Sequence, residues 1–176
     1  MSEIIVYGSE YGTTERYAIE LANRMNIKAF SYKTVKDLSI YDTIIYLGGL
    51  YAGGILGLSK TVKLIPANSK KTLILITVGL ADVKDPTNTD NIKSSIQKQI
   101  PKEIYDSSKI FHLRGGIDYQ KLSFKHRTLM SLLYKKVKKI PLESQTAETK
   151  AMIDTYNQKV YFVDLESLNE IIKNIS

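Results

Sequence analysis

The sequence predicts a three-layer α/β/α fold, in which a five-stranded parallel sheet of order 2-1-3-4-5 is covered by helices on both faces and followed by extra C-terminal helices. Three observations predict it. Five apolar, β-branched runs recur along the chain with helical stretches between them: Ile4 to Tyr7, Lys28 to Tyr32, Thr43 to Leu47, Thr72 to Val78 and Lys109 to Leu113. The first run breaks into the hydroxyl- and glycine-rich turn Ser9-Glu10-Tyr11-Gly12-Thr13-Thr14 and then becomes a helix, the placement an open parallel sheet uses for its first ligand loop. Glycine-bearing segments also come directly after the third and fourth runs, which puts three such loops on one edge of the sheet.

Taken in order, the first loop leads into Tyr17, Ala18, Leu21, Ala22 and Met25 at helical spacing, with Glu15, Arg16, Glu20, Asn23 and Arg24 on the other side and Asn26 as a stop. Lys33 to Asp42 leaves room only for a short helical crossover around Val35 to Leu38. Gly57 to Ile65 reads as a helix ended near Pro66, and Asp85 to Asp90 offers caps for a helix carrying Ile92, Ile96 and Ile100 up to Pro101. Beyond the fifth strand the pattern changes. Phe124, Thr128, Leu129, Leu132, Leu133 and Val137 form a helical stripe with lysines gathered toward its end, and Pro141 closes it. Leu142 to Gln158 is polar, with helix and loose loop both open to it, and Asp164 caps a last helix that turns Leu165, Leu168, Ile171, Ile172 and Ile175 inward.

A chain of 176 residues that is 43% hydrophobic has the material for one sizeable core, so residues 1 to 176 are expected to form a single domain. It contains no cysteine, which excludes disulfides, thiolate-held iron–sulfur clusters, zinc ribbons and thiol catalysis; any redox chemistry must come from a bound cofactor. The N-terminus lacks a basic region leading into an apolar run, and no window approaches a membrane span, so a cytoplasmic protein is expected. The net charge of +7 is concentrated late, with Lys109, Arg114, Lys121, Lys125, Arg127, Lys135, Lys136, Lys138 and Lys139 set against Asp118 alone. Such a face suits nucleic acid, anionic lipid or an acidic protein, or is simply solvated.

The first loop is built to hold a phosphate. Unpartnered amides and the positive end of the helix dipole attract an anion, and Ser9, Thr13 and Thr14 can add hydroxyls. The two threonines are equally ordinary helix caps. Glu10 would repel a dianion and is expected to point to solvent. First and third strands are neighbours whose connections leave in opposite directions, so a crevice opens between their loops that fits a flat ligand with a phosphate tail. Gly48 to Gly54 is no dinucleotide fingerprint, Ser59-Lys60 is no nucleotide-triphosphate loop, and His112 and His126 have no nearby ligand set, so no metal is expected.

Ser9-Glu10-Tyr11-Gly12-Thr13-Thr14 resembles the phosphate loop Ser/Thr-x-Thr/Tyr-Gly-x-Thr of the flavodoxin-like superfamily. That resemblance implies FMN as cofactor. Its phosphate would lie on Ser9, Glu10, Tyr11, Gly12, Thr13 and Thr14, and its ring between Gly49, Leu50, Tyr51, Ala52, Gly53 and Gly54 on one side and Val78, Gly79, Leu80, Ala81 and Asp82 on the other. Tyr51 is either a stacking surface or a partly exposed loop tyrosine. Gly53 and Gly54 either let a peptide reorient toward the flavin N5 or make a tight turn. Asp82 either accepts from N3 or caps the segment after it.

Downstream, Leu113-Arg114-Gly115-Gly116-Ile117-Asp118-Tyr119-Gln120-Lys121-Leu122-Ser123-Phe124 resembles the Arg-Gly-x-x-Asp-Tyr segment of the flavodoxin-domain branch that includes menaquinone-dependent protoporphyrinogen dehydrogenase. The chain departs from that branch in lacking Arg or His after Tyr51 and in a longer region from Lys139 to Asp164. The resemblance implies an FMN-dependent oxidoreductase passing electrons to a quinone, with Phe124 to Lys139 peripheral at an anionic membrane; the alternative is an electron shuttle that docks to a redox partner protein. No catalytic side chain is assigned, and no nucleic acid is expected as a partner.

Overall fold

The computed structural model describes residues 2–51, 54–66 and 69–175. In chain order its elements are β1 (Glu3–Gly8), α1 (Thr13–Met25), β2 (Ala29–Ser31), β3 (Thr43–Tyr51), β4 (Gly54–Ile55), α2 (Leu58–Val62), β5 (Thr72–Gly79), α3 (Pro86–Gln97), α4 (Lys102–Ser107), β6 (Lys109–Arg114), β7 (Gly116–Asp118), α5 (Phe124–Val137), α6 (Ala147–Thr155), β8 (Lys159–Tyr161) and α7 (Ser167–Ile175). The main sheet runs β2-β1-β3-β5-β6, all parallel, with β4 folded back antiparallel on the end of β3. Counted over the five apolar runs this is the order 2-1-3-4-5 that the sequence predicts.

Both faces of the sheet are covered because its central strands carry runs of consecutive apolar residues, Ile44 to Leu47 and Leu73 to Ile76. Ile4, Val6, Ile44, Tyr46, Leu73 and Leu75 pack one way, against Leu58, Val62, Ile92 and Ile96 of α2 and α3. Ile5, Ile45, Leu47, Ile74 and Ile76 pack the other way, against Tyr17, Ala18 and Leu21 of α1 and Leu168 and Ile171 of α7. Alternation along a strand sends successive side chains to opposite layers, so two cores share one sheet. Asn26 ends α1 in the left-handed region (φ 54°), and the Asp85 carboxylate starts α3 by accepting from the Thr87 amide.

Several expected elements differ. No helix forms around Val35 to Leu38: a turn at Thr34 and an irregular stretch suffice to bury Leu38 fully and to pack Val35 partly against the same core. The helix expected from Gly57 to Ile65 has its regular part in Leu58–Val62. Leu142 to Gln158 contains a 3-10 turn at Leu142–Ser144 and α6, started by Thr146 accepting from the Thr149 amide.

Between β6 and α7 the chain leaves the sheet and makes a second layer of structure over its carboxyl edge. β7 and β8 pair antiparallel, Gly116 opposite Tyr161 and Asp118 opposite Lys159, and close the base of a helical excursion containing α5 and α6. Tyr134 stacks on Tyr156 with ring centroids 3.8 Å apart, Tyr119 meets Tyr156 edge-on at 5.3 Å, and Leu122, Val137 and Met152 are buried. α6 touches both α5 and α3. The expected stripe on α5 points largely outward: Phe124 is 86% exposed and Leu132 61%, and only Val137 of the stripe is buried. No helix among the described residues is long and apolar enough to cross a membrane.

One core histidine gives a pH dependence. His112 on β6 bonds through Nδ1 to the Thr77 hydroxyl at 2.8 Å, while its Nε2 is buried without a hydrogen-bond partner. Burial, helped by repulsion from Lys93, lowers its pKa from 6.5 to about 4. The unfolded chain therefore binds a proton between about pH 6.5 and pH 4 that the folded chain refuses, and stability falls as pH drops through that window. With the ring partly reached by water, the loss by pH 4 is on the order of 2 kcal/mol. Urea midpoints measured from pH 7 to pH 4 should fall more for the native protein than for His112→Gln.

Candidate functional site

Strand register brings the glycine segments to one edge. Gly8 pairs with Gly48, Gly49 with Val78, and Gly79 with Arg114, so β1, β3, β5 and β6 end side by side. From Gly8 the chain turns through Ser9, whose Oγ accepts from the Gly12 amide at 3.1 Å. Gly12 starts α1 at φ 92°, a conformation side-chain-bearing residues rarely adopt, and no heavy atom lies within 4 Å of the place its Cβ would take. Open space therefore stands directly over the first turn of a 13-residue helix, where backbone amides lack intrahelical partners. Glu10 is exposed.

The two threonines do different things. Thr14 is buried, its Oγ1 against Gly49, and joins the first loop to the second. Thr13 donates through Oγ1 to the Gly116 carbonyl at 3.5 Å and joins it to β7. Neither side chain caps the helix, because Gly12 holds the cap position.

The second segment is a hairpin rather than a free loop. Leu50 pairs with Ile55 and Tyr51 with Gly54; Ala52 and Gly53 lie outside the described residues. Gln99, just beyond α3, accepts from the Ile55 amide at 3.0 Å, and its side chain fills the space beside Gly54. Leu50 leans on Gly79, with Cδ1 2.6 Å from where a Cβ would be, so a side chain at residue 79 would push the end of the Leu50 side chain aside.

The third segment is pinned from behind. The Gly79 carbonyl accepts from the Gly115 amide at 2.7 Å, and the Leu80 carbonyl accepts from Arg114 Nε and Nη2 at 3.2 and 2.9 Å. The Arg114 guanidinium lies 3.8 Å from the centroid of the Phe162 ring. Val78 and Ala81 are buried, while the Asp82 carboxylate accepts from the Lys84 amide and its carbonyl from Asn88 Nδ2. Tyr17 links this region to the last helix, donating to the Arg114 carbonyl at 2.8 Å and accepting from the Asp164 amide at 2.9 Å, and burial raises its pKa.

Sequence reasoning missed His126. From the first turn of α5 it reaches the first loop, where Nδ1 hydrogen-bonds the Tyr11 hydroxyl and the ring lies edge-on to Tyr11 at 5.6 Å. The same ring lies edge-on to Tyr51 at 5.5 Å. Tyr11 also accepts from the Ser123 amide at 3.3 Å. Tyr51, expected either to stack or to be loosely exposed, is thus 36% exposed and held against histidine, and desolvation with the nearby Glu10 charge raises its pKa. No local signal marks His126, since its partners are distant in sequence.

Fold and site together define an α/β protein with an open glycine turn at the carboxyl edge of its first strand, flanked by a hairpin and a pinned loop. The chain belongs to the flavodoxin domain family, whose model matches residues 4–144. The match stops before α6, β8 and α7. A search of curated proteins finds no match. Similar solved structures include a putative flavoprotein from Bacteroides uniformis, 15% identical over 64% of this chain and 88% of that one, with a TM-score of 0.45. A flavodoxin mutant from Fusobacterium nucleatum bound to flavin mononucleotide is 16% identical over 70% of this chain and 73% of that one, TM-score 0.45. Oxidised flavodoxin 1 from Bacillus cereus is 15% identical over 80% and 100%, TM-score 0.41.

Proposed function

We propose that this protein is an FMN-dependent oxidoreductase. The observation that carries the reading is the open space over Gly12 at the start of α1, which fits a phosphate and holds no side chain of the protein. FMN bound there supplies one- and two-electron exchange. The chain's own part is to bind and orient it. The α1 amides and the Ser9 hydroxyl would hold the phosphate, and the Leu50–Tyr51 hairpin and the Gly79–Ala81 loop would bracket the ring. The carbonyls of Gly79 and Leu80 are engaged by Gly115 and Arg114, so this loop would recognise the ring through its amides.

Within that class we favour the protoporphyrinogen dehydrogenase type with a quinone acceptor. Two features support it: the Arg114 to Phe124 segment runs beside the first loop through Thr13 and Gly116, and the α5–α6 excursion covers the sheet edge that an unadorned electron carrier would leave bare to its partner. The shuttle reading remains the alternative. Purified protein titrated with FMN should show quenched flavin fluorescence and a shifted visible spectrum. Protoporphyrinogen oxidation with a menaquinone analogue then separates the readings: turnover supports the dehydrogenase, whereas bound flavin without turnover supports the shuttle. A protein that ignores FMN overturns both.

The outward face of α5 supports a peripheral membrane contact. Phe124, Leu129 and Leu132 alternate there with Lys125, Lys135 and Lys136, and the helix sequence contains no acid. A recess of about 420 Å³ beside this face is lined by Phe124, Arg127, Leu132, Lys135 and Tyr156 among others. Apolar anchors among lysines suit anionic lipid, each lysine contributing about 1 kcal/mol near such a surface. Replacing Lys135, Lys136, Lys138 and Lys139 with Gln should weaken sedimentation with phosphatidylserine vesicles about 100-fold or more. Unchanged sedimentation removes the membrane role.

A further inference from the structure

His126 joins three segments that the sequence keeps far apart. Tyr11 belongs to the turn that starts α1, Tyr51 to the end of β3, and His126 to α5 in the excursion between β6 and α7. Each contact is specific in kind: a hydrogen bond from one ring nitrogen, and two edge-on ring pairs at 5.6 and 5.5 Å. The helix is aimed there by its own cap, since Ser123 Oγ accepts from the His126 amide at 3.2 Å while the Ser123 amide donates to the Tyr11 hydroxyl at 3.3 Å. Tyr11 is therefore held twice by the first turn of α5. Near this point α5 makes little use of buried apolar area, because Phe124 is 86% exposed and the buried residue of the helix, Val137, lies at its far end. The contacts of His126 and the Ser123 amide tie the N-terminal end of α5 to the first loop and the hairpin, while Arg127 Nη2 ties it to the Tyr119 and Gln120 carbonyls at 3.4 and 3.2 Å within the excursion.

We infer that His126 is a positioning residue for the cofactor site: by holding Tyr11 and Tyr51 together it latches α5 across the phosphate turn, so that FMN enters and leaves only when this contact opens. The inference rests on the FMN reading for the identity of the ligand, but the latch itself is a property of the protein without ligand. Loss of the hydrogen bond and both ring contacts should free the end of α5 while leaving the two cores of the sheet intact, since none of the three rings belongs to them.

The test uses the full chain. FMN association and dissociation rates are read by stopped-flow flavin fluorescence for the native protein, His126→Ala, His126→Asn, Tyr11→Phe and the double variant Tyr11→Phe/His126→Ala. In parallel, trypsin cleavage within α5 is monitored without FMN, where Lys125 and Arg127 flank the latch. His126→Ala should raise both FMN rates about tenfold and speed cleavage at α5. Asn places a polar atom close to the position of Nδ1, so His126→Asn should recover part of both effects. Tyr11→Phe, which keeps the ring and loses the hydroxyl, should be intermediate, and the double variant should be no worse than His126→Ala alone. Unchanged rates with unchanged cleavage in His126→Ala, or effects of the two single variants that simply add, would overturn the latch. Failure of every variant and the native protein to bind FMN would sink the cofactor reading, and the cleavage series would still decide the latch.

Discussion

Replacing Gly12 with valine should raise the Kd for FMN by about 100-fold or more while the protein remains folded. Two effects act together. A β-branched residue is strongly disfavoured at φ 92°, so the turn must shift and the first amides of α1 lose their common direction. The new side chain also enters the open space over the helix start, the place assigned to the phosphate. The stability cost is smaller, about 1–2 kcal/mol, because the turn is exposed and α1 keeps its buried face of Tyr17, Ala18 and Leu21. Fluorescence titration measures the first effect and urea unfolding the second. Gly12→Ala, which adds one methyl in the same strained conformation, should fall between native and valine. Native affinity in Gly12→Val would show that the phosphate does not sit at α1.

Replacing Arg114 with alanine should lower stability by about 2–3 kcal/mol and FMN affinity about tenfold. Arg114 does three jobs from one position: it stacks on Phe162, donates twice to the Leu80 carbonyl, and offers its own carbonyl to Tyr17. The last survives any substitution, since it uses the backbone. The first two disappear together, which leaves the Leu80 carbonyl unpaired and frees the loop expected to face the ring. Lysine should rescue little, because a point charge cannot both stack and present the fork that meets one carbonyl from two nitrogens. Arg114→Lys with native stability would show that the loop is held by Gly115 alone.

The main sheet was legible because its strands carry the signal that burial on two faces requires. Ile44, Ile45, Tyr46 and Leu47, or Leu73 to Ile76, are apolar at consecutive positions, and no helix or exposed strand needs that. The turn between β1 and α1 was legible for a local reason too, since Ser9 and Gly12 bond to each other within one turn. The short strands β4, β7 and β8 were not legible. With two or three residues each they show no period, and β7 meets β8 only after the whole of α5 and α6 has intervened. α5 itself was readable as a helix, but which of its faces meets the protein was not. His126, Met130, Tyr134 and Val137 share the inner side, and three of those four give no apolar stripe stronger than Phe124, Leu129 and Leu132 on the outer one. The site was legible in the same measure. Its glycines could be placed from the strand ends, whereas the Tyr11–His126–Tyr51 contact joins positions that no periodicity relates.

The β7–β8 pairing brings the chain back beside the point at which it departs: the Phe162 amide donates to the Gly115 carbonyl at 2.9 Å, and Gly116 lies opposite Tyr161. For a segment whose two ends meet in this way, each doubling of length adds only about 0.6 kcal/mol of closure entropy. The length of the excursion is therefore decoupled from the geometry of the sheet. The span from Gly116 to Tyr161 can lengthen or shorten at its outer end, away from the contacts it makes with Tyr11, Thr13 and Tyr51, without moving β6 or α7.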